Sequence, residues 1–128
     1  NLSNIRKTGS QAPELRIGNS GGLQDTGYAG GFGVISATPS ANAVSSGIRL
    51  VTSSASGRRQ GKIILSLVNA AQGVWAYQGF FWDTANVIGS VTVGTVVSSG
   101  QLDRVGLVAL DGAFDGDTES RFQVSYEG

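Results

Sequence analysis

Five aromatic residues fall within the eight positions from 75 to 82: Trp75, Tyr77, Phe80, Phe81 and Trp82. Indole and phenol rings join an apolar face to a polar tip, which suits them both to core packing and to stacking on sugar rings. Alternation along an extended chain separates the two uses. Trp75, Tyr77 and Phe81 share one face; Phe80 and Trp82 share the other with Val74, Ala76 and Gln78. Trp75 and Phe81 are the expected core residues. Trp82, beside Asp83 at the strand end, is the expected exposed ring, and Trp82, Asp83 and Tyr77 form the candidate ligand-binding group. Arg58 and Arg59 lie in a polar stretch, residues 53–61. That stretch reads as a solvated loop or as a contact for an acidic partner or sugar acid.

A second group is acidic. Asp111, Asp115, Asp117 and Glu119 follow one another with no base between them. Alternate carboxylates near glycine can ligate calcium through oxygen, although the spacing is a poor match to an EF-hand loop. The same run also reads as a solvated turn. A paired-carboxylate centre for glycoside hydrolysis is the least supported reading, because no sequence feature marks a cleft around it.

Other chemistry is excluded by composition. The 128 residues contain no histidine and no cysteine. A Ser-His-Asp or Cys-His centre cannot be built from this chain alone, nor can a cysteine-based metal site or a disulfide. No catalytic residue and no cofactor is expected. Nine basic residues balance nine acidic ones, which argues against a nucleic-acid partner. Only 14% of residues are charged, against about a quarter in typical domains, and low net charge favours association. No apolar run approaches the roughly 20 residues of a membrane helix, so no membrane insertion is expected. The chain opens on Asn1 and not on Met, which is compatible with processing or with a longer gene product.

The elements that must position these residues are strands. Twenty glycines among many Ser, Thr and Val indicate short strands joined by tight turns. Residues 1–12 read as an arm or a strand remnant, and residues 13–128 as one domain. Leu15 and Ile17 alternate with Glu14 and Arg16, and a turn follows through Asn19 and Gly22. Gly30 and Gly33 mark close backbone approach at a bend. Residues 36–46 read as a surface loop, and Ile48 and Leu50 as a short strand. Residues 62–82 make the clearest hairpin, closed through Asn69 to Gly73. Residues 90–97 alternate around Gly94, which predicts a bulge or an edge. A strand over 102–110 and a turn at Asp111–Gly112 follow. Phe122, Val124 and Tyr126 alternate with polar residues, predicting a half-buried last strand. About eight short strands with regular turn signals predict an all-β, jelly-roll-like antiparallel β-sandwich.

Three stretches in order carry a resemblance. The first is Leu15-Arg16-Ile17-Gly18-Asn19-Ser20-Gly21-Gly22, followed by Thr26-Gly27-Tyr28. The second is Gly61 to Asn69, then Val74-Trp75. The third is Leu102-Asp103-Arg104-Val105, then Phe114-Asp115-Gly116, ending Val124-Ser125-Tyr126-Glu127. Together they resemble the C-terminal head domain of bacteriophage tail and collar fibre-type virion proteins. The family's Trp-Val-Ala-Ser-Gly segment is Trp75-Ala76-Tyr77-Gln78-Gly79 here, with Phe80, Phe81 and Trp82 after it, and the strand that usually precedes the first stretch is missing or lies before Asn1.

The resemblance implies a β-sandwich head on a phage particle, a homotrimer that contacts other virion proteins and has no enzymatic activity. The function expected from it is host-surface attachment through shallow, multivalent contacts to glycan. The alternative expectation is a capsid decoration or cement protein that staples shell subunits, with the N-terminal arm as tether.

Overall fold

The computed structural model describes residues 1–51, 57–83, 88–114 and 121–125. Among them the chain is wholly β and antiparallel. In order, the strands are β1 (Leu2–Ile5), β2 (Glu14–Asn19), β3 (Gly22–Leu23), β4 (Tyr28–Ile35), β5 (Ser40–Val44), β6 (Ile48–Arg49), β7 (Arg59–Asn69), β8 (Val74–Asp83), β9 (Ile88–Val97), β10 (Arg104–Val108) and β11 (Arg121–Phe122). Of these, β3 and β5 fall in stretches that the sequence marks as a turn and a surface loop, which adds to the number that turn spacing predicts.

The strands form two sheets. Seven make a large sheet in the order β11-β1-β7-β8-β9-β4-β5; the smaller has the order β10-β2-β3, with β6 also paired to β2. The core lies between them. Leu15 and Ile17 of β2, Ile48 of β6 and Leu50 meet Tyr28 of β4, Tyr77 and Phe81 of β8 and Val96 of β9 in one buried cluster. Each aliphatic or Phe side chain buried in this way contributes about 1.5–3 kcal/mol. The Tyr28 hydroxyl accepts a hydrogen bond from the Ile17 amide at 2.9 Å, tying the sheets together across the core.

The sandwich expected from periodicity is therefore present, with four local differences. Of the two readings of the N-terminus, the chain takes the strand: β1 lies inside the large sheet between β7 and β11, with Leu2 and Ile5 buried. It carries an irregularity between those residues, at which Asn4 has φ 58°. Within the expected surface loop 36–46, Ser40–Val44 instead forms edge strand β5, paired with β4. Its residues are mostly exposed on both faces, so no apolar alternation reveals it. Gly94 produces neither a bulge nor an edge, because β9 keeps an unbroken register with both β8 and β4. Gly30 does mark a close backbone approach, to Val93 and Gly94, but it and Gly33 lie in a regular strand and not at a bend. Finally, β11 is short, and the described part of its alternation is exposed: Phe122 and Val124 are 36% and 46% exposed, while Tyr126 lies outside the described residues. The physical reason is the partner: β1 is four residues long and, among the described residues, pairs with β11 at Leu2 and Ser3.

Two carboxylates fasten segments that are distant in sequence. Glu14 is fully buried. It accepts from Ser46 Oγ at 2.6 Å, from Arg49 Nη2 at 2.8 Å and from Arg16 Nη2 at 3.0 Å. Burial alone raises its pKa, but the Ser46 hydroxyl and the two guanidinium groups outweigh that and hold it below the ordinary value. Asp111 accepts from Lys7 Nζ at 2.6 Å and from the Ser10 amide at 2.7 Å. Those partners, Lys7 first, hold it far below the usual carboxylate range.

Both carboxylates are depressed in the folded state, so their stabilisation is complete above the unfolded carboxylate pKa of about 4 and is lost as pH falls through the lower folded values. Urea unfolding midpoints are therefore expected to be flat from neutral pH down to about 5 and to drop below about 4. Glu14→Gln is expected to cost about 2 kcal/mol at pH 7, as for hydrogen bonds to a charged group, and to flatten the acid limb. An unchanged acid limb in that variant would contradict the assignment.

Candidate functional site

The outward face of β8 and its neighbours carries the most distinctive surface. Alternation along β8 sends Tyr77, Phe81 and Asp83 inward, all at most 3% exposed. It leaves Phe80 and Trp82 outward, 51% and 39% exposed. Register supplies their surroundings. Phe80 lies between Lys62 of β7 and Val91 of β9; Trp82 lies between Gln60 and Gly89. A Cβ built on Gly89 would touch the Phe80 ring and the Trp82 ring, each at 3.6 Å. The two rings therefore flank the glycine, and its bare backbone is the floor between them. Ile35 of β4, directly across from Gly89, closes the far side. The result is an aromatic platform, apolar toward β9 and β4, with the exposed side chains of Gln60 and Lys62 as its polar rim.

The structure divides the sequence-predicted residues. Trp82 is exposed as expected. Tyr77, Asp83 and Arg59 are buried and cannot meet a ligand at the surface, so their expected binding role is corrected. Tyr77 lies beneath the sheet, where its hydroxyl fits against Gly30 and Gly94. Burial raises its pKa, as does the charge on Glu14. Arg59 is the first residue of β7 and not part of a solvated loop. It donates to the Leu50 carbonyl at 2.9 Å and the Gly57 carbonyl at 2.8 Å. Asp83 stands opposite it in the β7–β8 ladder. Burial lowers the Arg59 pKa to about 10, partly offset by the Asp83 charge. Arg58 is half-buried and donates to Asn4 Oδ1 at 3.4 Å.

The acidic run behaves differently from a calcium loop at its one described member. Both Asp111 oxygens already accept hydrogen bonds, from Lys7, Ser10 and Gln11. Asp115 and Asp117, like Glu119, lie outside the described residues. Among the described residues no group of three acidic, His or Cys side chains is placed to hold a metal.

A shallow groove of about 480 Å³ opens between the β2–β3 turn and residues 99–103, lined by Asn19, Ser20, Ser99, Gly100, Gln101 and Asp103. It offers hydroxyl and amide groups but no aromatic ring. Its carboxylate, Asp103, is bonded to Arg104 at 2.7 Å.

No known family model, curated protein or solved structure matches this chain.

Reasoning from the sequence alone assigned Phe80 to the outward face but not to the ligand group, and missed Gln60, Lys62 and Gly89 altogether. The missing signal was register. Gly89 is 7 positions from Trp82 in the chain and opposite it in the sheet, and no local pattern encodes that pairing.

Proposed function

We propose that this domain is a non-enzymatic structural module of a phage particle, a fibre head that attaches to host-surface glycan. The observation that carries the reading is the Phe80–Trp82 platform. Two exposed rings converge over a glycine floor on an otherwise uncharged stretch of sheet, with an amide and one ammonium group at the rim. A pyranose ring has apolar C–H faces and hydroxyl edges. It stacks on an aromatic face and bonds at its edge to groups such as Gln60 and Lys62. A shallow platform of this kind binds one sugar weakly. Repetition of the domain on a particle raises the overall affinity without a deep pocket.

The capsid-decoration reading used the N-terminal arm as a tether. Leu2–Ile5 is bound into the domain's own sheet, which favours the attachment reading over that one.

Attachment is tested by titrating labelled domain onto host cells or immobilised surface glycan. Trp82→Ala is expected to weaken binding about tenfold, equivalent to about 1.4 kcal/mol and comparable to one aromatic contact. The double variant Phe80→Ala/Trp82→Ala is expected to abolish it. Full binding by the folded double variant would overturn the reading.

A further inference from the structure

The large sheet contains an unfinished edge. On the side of β7 away from β8, β1 pairs only at Arg59 and Gly61. From Lys62 to Asn69 no described strand lies on that side, although β8 covers the other side over the same span. The exposed stretch reads Lys-Ile-Ile-Leu-Ser-Leu-Val-Asn. After Lys62 it has no charge, no proline and no glycine. Ile64, Leu67 and Val68 are 42%, 50% and 64% exposed. Natural proteins guard such edges with lysines, prolines, bulges or a covering element, because the free N–H and C=O groups template another strand. Here only the far end is irregular, where the β7–β8 register shifts between Leu67 and Asn69.

We propose that this edge is an interaction surface for a second copy of this chain, β7 against β7, antiparallel across a two-fold axis. Three observations select that occupant. First, the edge carries no charge beyond Lys62 and the whole chain is neutral, so two copies meet without repulsion and a strongly charged partner finds no complement. Second, the strand is self-complementary. With Ser66 opposite the partner's Ser66, Leu65 meets the partner's Leu67 on the inward face, apolar against apolar, and Val68, the extra residue at the irregularity, adds an exposed apolar side chain beside the partner's Ile64. A shift of one residue would place the inward side chains of one copy against the outward side chains of the other. Third, the free length fits. The regular span of the edge begins just past the β1 pairing at Gly61 and runs to Leu67, where the irregularity and then the hairpin turn at Ala70 end it. The two sheets then run on as one. Isologous pairing uses up both β7 edges and closes at two copies, in place of the homotrimer that the resemblance implies.

The surface adjoins the sugar platform at Lys62, but its centre lies apart from it: Ser66 and Gln60 are six positions apart on β7, roughly 20 Å at the rise of a strand.

Sedimentation equilibrium at about 100 µM is the test, a concentration suited to interfaces below about 1,200 Å². A two-chain mass is expected, with slowed hydrogen exchange at β7 amides between Ile63 and Val68. Ser66→Lys places like charges face to face at the two-fold and is expected to give a one-chain mass with an unchanged far-ultraviolet spectrum. Thr95→Lys, on exposed β9 surface away from this edge, is expected to stay two-chain. A one-chain or three-chain mass for the parent protein, or a two-chain mass that survives Ser66→Lys, would overturn the proposal. Ser66→Lys leaves Phe80 and Trp82 in place, so monovalent sugar binding by that variant reports on the attachment reading separately.

Discussion

Replacing Arg59 with alanine is expected to destabilise the domain by about 3–5 kcal/mol, the cost of leaving a buried charge without its partner. Arg59 has no measurable exposure and neither does Asp83 opposite it. The guanidinium also donates to the carbonyls of Leu50 and Gly57. Truncation would leave those two carbonyls without this donor, remove the positive charge that acts on the Asp83 carboxylate and open a cavity beside the core. The loss is a large share of the about 5–15 kcal/mol that holds a typical domain together, so the melting temperature should fall by more than 10 °C, at about 4 °C per kcal/mol for a chain of this size. Lysine should not rescue it, because one ammonium cannot reproduce the planar fork that serves separate acceptors. The Arg59→Leu/Asp83→Leu double variant should recover part of the loss by removing both charges, leaving the deficit of the two carbonyls. Urea denaturation of the three variants measures this directly. A cost below about 1 kcal/mol for Arg59→Ala would place the pair in solvent, at odds with its burial. Because Asp83 directly follows Trp82, the same variant should also loosen the end of β8 that presents the platform.

Gly94→Ala is expected to cost about 3 kcal/mol, at the upper end of ordinary overpacking penalties. The added methyl would lie 2.5 Å from the Tyr77 hydroxyl, 2.6 Å from the Ala29 carbonyl oxygen and 2.6 Å from Gly30 Cα. Two of these three obstacles are backbone of the neighbouring strand β4, which can move only by breaking the β4–β9 ladder. Gly30 faces the matching problem from the other side, since its own Cβ would meet the Tyr77 hydroxyl and the Val93 carbonyl. The pair of glycines is thus a socket for the end of Tyr77, built at one point where two strands pair, Gly30 opposite Gly94. Tyr77→Phe in the Gly94→Ala background should restore only part of the stability, because the backbone clashes remain. Thermal melts of the single and double variants test this. Full rescue by Tyr77→Phe would show that the hydroxyl alone defines the socket.

The alternation of β7 and β8, the closure of their hairpin and the inward direction of Phe81 were legible in the sequence, because a strand that buries one face must repeat every second residue. So was the outward direction of Trp82. The strand that escaped, β5, has no such asymmetry, being exposed on both faces; β1 is too short to show a period and left arm and strand open, and in β9 the strand was legible but not the reason for its glycine, which lies on a different strand. The fate of polar residues was the least legible. Arg59 and Arg58 adjoin in a polar stretch, yet the first opens β7 facing inward, and Asp83, equally polar, is drawn under the sheet to meet it.

From residue pattern alone the chain is all-β and layered, has no histidine or cysteine, and carries a dense aromatic stretch at residues 75–82. Local periodicity and composition carry that information. Which aromatic rings converge, which charges are buried opposite one another and which edge of β7 no described strand covers emerge only from the folded arrangement. Those outcomes depend on register between strands far apart in the chain, and register is fixed by the mutual fit of whole faces, not by any one segment.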